Sequence, residues 1–196
     1  MKVQLDFQDY PDIVRGDIFW RPPPDTLKKV PHLYERAASC LHMLFNIGNY
    51  THRDGYTLEM HAAAYIRAAL VEFVGIEESV QTAGYTFSIL SSCSPLLHFM
   101  RLLRNYQIHV GSQPISKKSI DITFAGKETS MDVVIIDNLD AEKFMQLAAI
   151  VRYRNYDLSD VQAMVNLFDV QQARLGVYEI LRLGAQRLVK DIEQVV

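Results

Sequence analysis

Apolar residues recur at helical spacing through the first half of the chain, and then the period changes. Over 32–47 the positions Leu33, Ala37, Leu41 and Leu44 fall three or four apart, which predicts a helix. Thr57 begins a second run to about Ile76, in which Ala62, Tyr65, Ile66, Ala69, Leu70 and Phe73 surround much of the circumference. A helix apolar on so many sides is expected near the centre. A third run covers 87–110 and reopens at Ser94-Pro95, a capping residue followed by a proline suited to the first helical position. Gly111 to Pro114 stops it. Ile120-Asp121-Ile122-Thr123-Phe124 then alternates with period two, and Asp132-Val133-Val134-Ile135-Ile136 is β-branched. With Ala125-Gly126-Lys127 between them they predict a β-hairpin over about 119–137. Leu139 to Tyr153 is amphipathic again, and Ser159 with Gln162 forms a capping-box pattern opening a last helical stretch with a break near Gly176.

The expected fold is therefore mainly α, a helical bundle with one inserted β-hairpin. Its 196 residues suit a single domain. Residues 1–30 read as an extended arm anchored by Trp20, since Pro22-Pro23-Pro24 forbids a helix there. Residues 31–112 read as the helical core, 113–138 as the hairpin region and 139–196 as C-terminal helices.

Composition removes several function classes. The formal net charge is −3, so any contact with nucleic acid needs a local basic patch. Two cysteines and six scattered histidines, with no His-x3-His pair, give neither a disulfide framework nor a metal site. No metal or cofactor is expected. A glycine-rich phosphate loop and a serine nucleophile elbow are both absent. No uncharged apolar run approaches the roughly 20 residues of a spanning helix. Asp6 stands where a signal peptide would be apolar, and the reading is a soluble, cytoplasmic protein without a membrane partner.

Charge is distributed unevenly along the chain. Between Glu78 and Asp121 there is no acid, while Arg101, Arg104, Lys117 and Lys118 all fall there. Average composition would place about five acids in such a span. At about 100° per residue, Leu96, Phe99, Leu103 and Tyr106 share one face of the third helix, and His98, Arg101, Asn105 and His109 share the opposite one. Arg104 falls to the side, about 140° from His109. This polar face is expected to be an exposed cationic surface.

Arg104-Asn105-Tyr106-Gln107-Ile108-His109 resembles the Arg-x4-His signature of the HEPN superfamily (higher eukaryotes and prokaryotes nucleotide-binding domains), in which a polar residue, often Asn, follows the arginine. A second match, Arg36 to His42, has Ala37 at that position. The resemblance implies a helical bundle with the motif on a late core helix, and metal-independent RNA cleavage at a homodimer interface where two motifs meet. It implies partners as well: RNA, a second copy of the chain, and in toxin or defence systems an antitoxin or regulatory protein. Toxins paired with nucleotidyltransferases carry a Tyr two residues after the His; Gly111 stands there instead, which argues against that branch.

The residue types suit this chemistry. His109 can move a proton near neutral pH, and Arg104 can hold phosphate oxygens as charge builds. Asn105, one turn before His109, is placed to orient its ring. Arg101, His98, Lys117 and Lys118 are the candidate substrate-binding residues. Duller roles exist for each: His109 facing the helix's last carbonyls, the arginines and lysines as solvated charges, His98 as structure. Two other readings compete, a non-catalytic scaffold with a degenerate HEPN fold and a helix-turn-helix DNA binder over 160–175 presenting Gln171, Gln172 and Arg174.

Overall fold

The helix carrying Arg104 packs against three of the other long helices. In the computed structural model, which describes residues 2–17, 21–52, 54–109, 114–147, 150–151 and 154–196, it spans Pro95–His109 (α3). The side chains of residues 108 and 109 are outside that description. Before it come α1 (Leu33–Phe45) and α2 (Leu58–Thr82), and after it β1 (Ile115–Phe124) and β2 (Lys127–Ile136). Then follow α4 (Ala141–Met145), α5 (Leu158–Leu175) and α6 (Val177–Glu193). Among the described residues the architecture is a mainly helical bundle with one inserted antiparallel hairpin, as the periodicity predicts.

Local chemistry explains the boundaries. Thr57 caps α2, its hydroxyl accepting from the Met60 amide at 3.2 Å, and Asp140 does the same for the Glu142 amide of α4 at 2.9 Å. α3 opens at Pro95 as expected. α5 starts two residues before the predicted Ser159 box: the Asp160 carboxylate reaches back to the Asp157 amide at 3.1 Å. An Asp in the first turn serves the exposed helix-start amides as well as the Gln pattern does.

One apolar core joins all five long helices. α1 and α2 pack along each other, α6 lies against α1 and α3, and α5 against α3 and α6. Phe99 of α3 stacks at 5.4 Å from Phe144 and 4.8 Å from Phe168, while Tyr106 lies 4.9 Å from Phe144. The C-terminal helices thus complete the bundle that 31–112 begins; α3 needs both halves of the chain to bury its faces.

The hairpin is longer than its apolar pattern. Its register runs from Ile115↔Ile136 to Phe124↔Lys127. The turn is the two residues Ala125 and Gly126, both at positive φ (50° and 78°), which matches the right-handed twist of the strands. Its buried residues are Val133, Val134 and Ile136 towards the base and Ile120 further out, while Phe124 and Met131 are exposed. Gln172 of α5 grips that base, accepting from the Ile136 amide and donating to its carbonyl, each at 2.8 Å.

The N-terminal arm is pinned to the body. Its Ile13 amide donates to Gln171 Oε1 and its Asp17 amide to Glu179 Oε1, both at 2.8 Å, and Asp9 pairs with Arg187 at 3.0 Å. The predicted anchor Trp20 is outside the described residues.

Candidate functional site

The polar stripe of α3 is not the open surface its spacing predicts. From Ser94 to Met100 the helix is buried on every side, and among the described side chains it reaches partial exposure at Arg101, Arg104, Asn105 and Gln107. His98 is 0% exposed, which removes it from any substrate surface. Its Nε2 lies 2.8 Å from the Ser92 carbonyl and its Nδ1 2.6 Å from the Tyr156 hydroxyl. A carbonyl only accepts, so Nε2 carries the proton and Nδ1 takes the Tyr156 hydrogen. Burial lowers the His98 pKa, the Ser92 bond opposes that, and the Arg101 charge adds to it. The imidazole is a neutral strut. Burial likewise pushes the Tyr156 hydroxyl upward, so it remains a donor.

Arg101 is committed to a carboxylate. Its Nη1 donates to both oxygens of Glu77 on α2, at 3.2 and 3.1 Å. Glu77 also accepts from the Ser88 hydroxyl and the Ile89 amide, each at 2.9 Å. Gln81 Nε2 donates as well, at 3.5 Å, so this carboxylate, taken out of water, is offset by one full charge and three further donors, the arrangement a buried acid requires.

Arg104 differs from Arg101, one turn earlier on the same helix. Among the described residues it has no carboxylate partner, and its Nε is buried without an acceptor. Its Nη1 donates to the side-chain oxygen of Asn105 at 3.0 Å. Neighbours on a helix project about 100° apart, so this bond draws the guanidinium sideways. It moves from its own direction toward the stripe that continues, one turn on, to position 109. Asn105 therefore steers Arg104, a role its one-turn spacing from His109 did not reveal. His109 ends α3, and its side chain lies outside the described residues.

Between these groups lies a cavity of about 70 Å³. Arg101, Leu102 and Asn105 of α3 form one wall; Leu90, Ile150, Asn155 and Tyr156 form the rest. Lys117 and Lys118 are elsewhere, on β1. Lys117 pairs across the hairpin with Asp132 at 2.9 Å, a bond that raises the Lys117 pKa; the Ser119 hydroxyl first, and then Lys117, lower that of Asp132. Lys118 donates to the Ala173 carbonyl at 3.3 Å. Arg101, Arg104 and Asn105 are thus brought together, His98 is sealed one turn deeper, and the two lysines serve the hairpin.

The helix-turn-helix over 160–175 is not formed. Those residues lie within the uninterrupted α5, and Gln171 and Gln172 are 6% and 3% exposed, holding the arm and the hairpin. Arg174 pairs with Asp12. Glu77 and Tyr156 were missed in the sequence. Glu77 ends the run Phe73–Ile76 beside a second acid, Glu78, and nothing in the sequence says that the first is buried and the second exposed. Tyr156 carries no signal either.

No family model, no curated protein and no solved structure matches this chain. Among the described residues no cluster of His, Cys, Asp or Glu is arranged to hold a metal, and no helix is long and apolar enough to cross a membrane.

Proposed function

We propose that this chain is a HEPN-like, metal-independent endoribonuclease with its site at the C-terminal end of α3. One observation supports the reading above the rest: Arg104 is half-buried, has no carboxylate to neutralise it among the described residues, and is steered by Asn105 toward position 109. A desolvated, unneutralised guanidinium is costly unless it meets an anion. Phosphate is the anion its fork geometry suits best.

In this reading a histidine removes the ribose 2′-OH proton as the oxygen attacks the adjacent phosphorus. Arg104 holds the non-bridging oxygens while negative charge builds, and the P–O5′ bond breaks. A second imidazole protonates the departing 5′-oxygen. The products are a 2′,3′-cyclic phosphate and a 5′-hydroxyl. One His109 cannot hold both proton roles at once, so two copies related by a two-fold axis supply one each.

The test is incubation with single-stranded RNA in EDTA. Cleavage leaving 2′,3′-cyclic phosphate ends, lost in His109→Ala and Arg104→Ala while the circular dichroism melt is retained, supports the assignment. Cleavage that persists in both variants removes it, and a folded wild-type protein with no cleavage favours the non-catalytic scaffold.

A further inference from the structure

We infer that the aromatic cavity where α2 begins binds a fully methylated ammonium group, the head of a choline-type molecule or of a trimethylated lysine side chain. The inference is independent of the ribonuclease reading, because no residue of α3 takes part.

Three rings line this cavity of about 500 Å³: Tyr56 from the segment before α2, and His61 and Tyr65 one turn apart on the helix. Each of the three is half-buried, and their surroundings hold them in place. A carbonyl only accepts, so His61 Nε2, 2.8 Å from the Asn46 carbonyl, carries a proton and donates it. The Tyr50 hydroxyl donates to the Tyr56 carbonyl, and the Tyr50 ring centre lies 5.7 Å from that of His61.

The rings are inclined to one another. Tyr56 and His61 meet at 81° with centroids 6.2 Å apart, and His61 and Tyr65 at 43° and 4.5 Å. A flat ligand stacks on one face at a time, whereas a rounded trimethylammonium head meets faces set at any angle. Aromatic faces carry negative charge density and attract a weakly hydrated cation. Elsewhere the chain supplies that cation itself: Lys28 Nζ sits 4.7 Å from the centre of the Tyr34 ring. Among the described residues no lysine or arginine lines the Tyr56–Tyr65 cavity.

Charge selects in the same direction. Asp54 is the acid on the cavity wall, exposed and without an ion pair among the described residues. The other wall residues, Asn49 and Thr51, are uncharged. A phosphate or carboxylate ligand would meet repulsion from Asp54, and a quaternary ammonium gains from it. A volume near 500 Å³ lies within the roughly 300–1,000 Å³ of small-ligand sites, so the head enters with part of its tether.

Calorimetry at about pH 8 compares choline with its neutral analogue, in which a quaternary carbon replaces the charged nitrogen. It also compares a short peptide bearing trimethyllysine with the same peptide unmethylated. The methylated cations are expected to bind about tenfold or more tighter than their controls. Tighter binding of choline than of the peptide identifies a free small molecule, and the reverse order a protein side chain. Tyr65→Phe keeps the aromatic face and should retain the affinity, while Tyr65→Leu keeps only apolar bulk and should lose about tenfold. Asp54→Asn should weaken binding by a smaller factor, and it carries the test if the leucine variant does not fold. Equal binding of choline and its neutral analogue overturns the site. So does affinity unchanged in both Tyr65→Leu and Asp54→Asn, or no binding of either methylated ligand at millimolar concentration.

Discussion

Glu77 and Arg101 meet at 3.1 Å across the α2–α3 interface, the carboxylate side chain 5% exposed and the guanidinium 28%. The pair fixes the depth of α3 against α2 one turn before Arg104, so it sets where the candidate site begins. Removing the acid leaves a cation, a hydroxyl and a backbone amide without their shared acceptor. Glu77→Ala is expected to cost roughly 3 kcal/mol in urea denaturation. The double variant Glu77→Ala/Arg101→Ala should cost clearly less than the sum of the single changes, since the stranded charge is then gone. Strict additivity would show that the pair contributes nothing as a pair.

His98 makes stability depend on pH with a definite sign. Its pKa in the folded chain is lowered, chiefly by burial, from an unfolded value near 6.5. Above that value both states are neutral and the full stability is present. As the pH falls, the unfolded chain takes up the proton first, so stability is lost between 6.5 and the folded pKa. One such group contributes at most about 1.4 kcal/mol per pH unit. Urea midpoints at about pH 7.5 and about pH 5.5 should fall for the wild type and fall less for His98→Gln. An identical decline in both proteins would place the acid sensitivity elsewhere.

The sequence discloses the fold better than the site, for a physical reason. Helices and strands announce themselves by period, and the runs at Leu33–Leu44, Thr57–Phe73 and Ile120–Phe124 are each close to the elements formed. Period also names the two faces of α3, but it does not say what covers them. The polar face is roofed by Leu90, Ile150 and Tyr156, contributions from segments on both sides in sequence, so a stripe expected in water holds a sealed His98 and a paired Arg101. The Asn105 bond to Arg104 was equally out of reach, because neighbouring side chains on a helix ordinarily diverge. In the competing helix-turn-helix reading over 160–175, Gln171 and Gln172 face DNA. Their partners are backbone groups of Ile13 and Ile136, far away along the chain.

Gly176 separates α5 from α6 at φ 84°, with the β2 strand passing against it. A Cβ at this position would lie 2.8 Å from that of Val133 and 3.2 Å from the Val134 carbonyl, and the backbone region itself disfavours a side chain. Gly176→Ala is expected to cost about 2–3 kcal/mol, combining the positive-φ penalty with the overpacking. Hydrogen exchange should place the loosening at Val133–Ile136, where the hairpin base meets the helices. A stability within error of wild type would mean that the strand moves aside freely.

Arg104→Lys separates a guanidinium requirement from a simple charge requirement. Lysine preserves the charge but has neither the planar fork for two phosphate oxygens nor the lateral nitrogen that Asn105 holds at 3.0 Å. In the proposed reaction the loss falls on the step where charge builds at phosphorus, so the single-turnover rate drops about 10²-fold or more while RNA binding changes little. Asn105→Ala should weaken the same step by a smaller factor, because the arginine remains but is no longer drawn toward position 109. The order Arg104→Lys worse than Asn105→Ala, with His109→Ala inactive, is specific to this arrangement. A lysine variant that cleaves at the wild-type rate would reduce Arg104 to a surface charge.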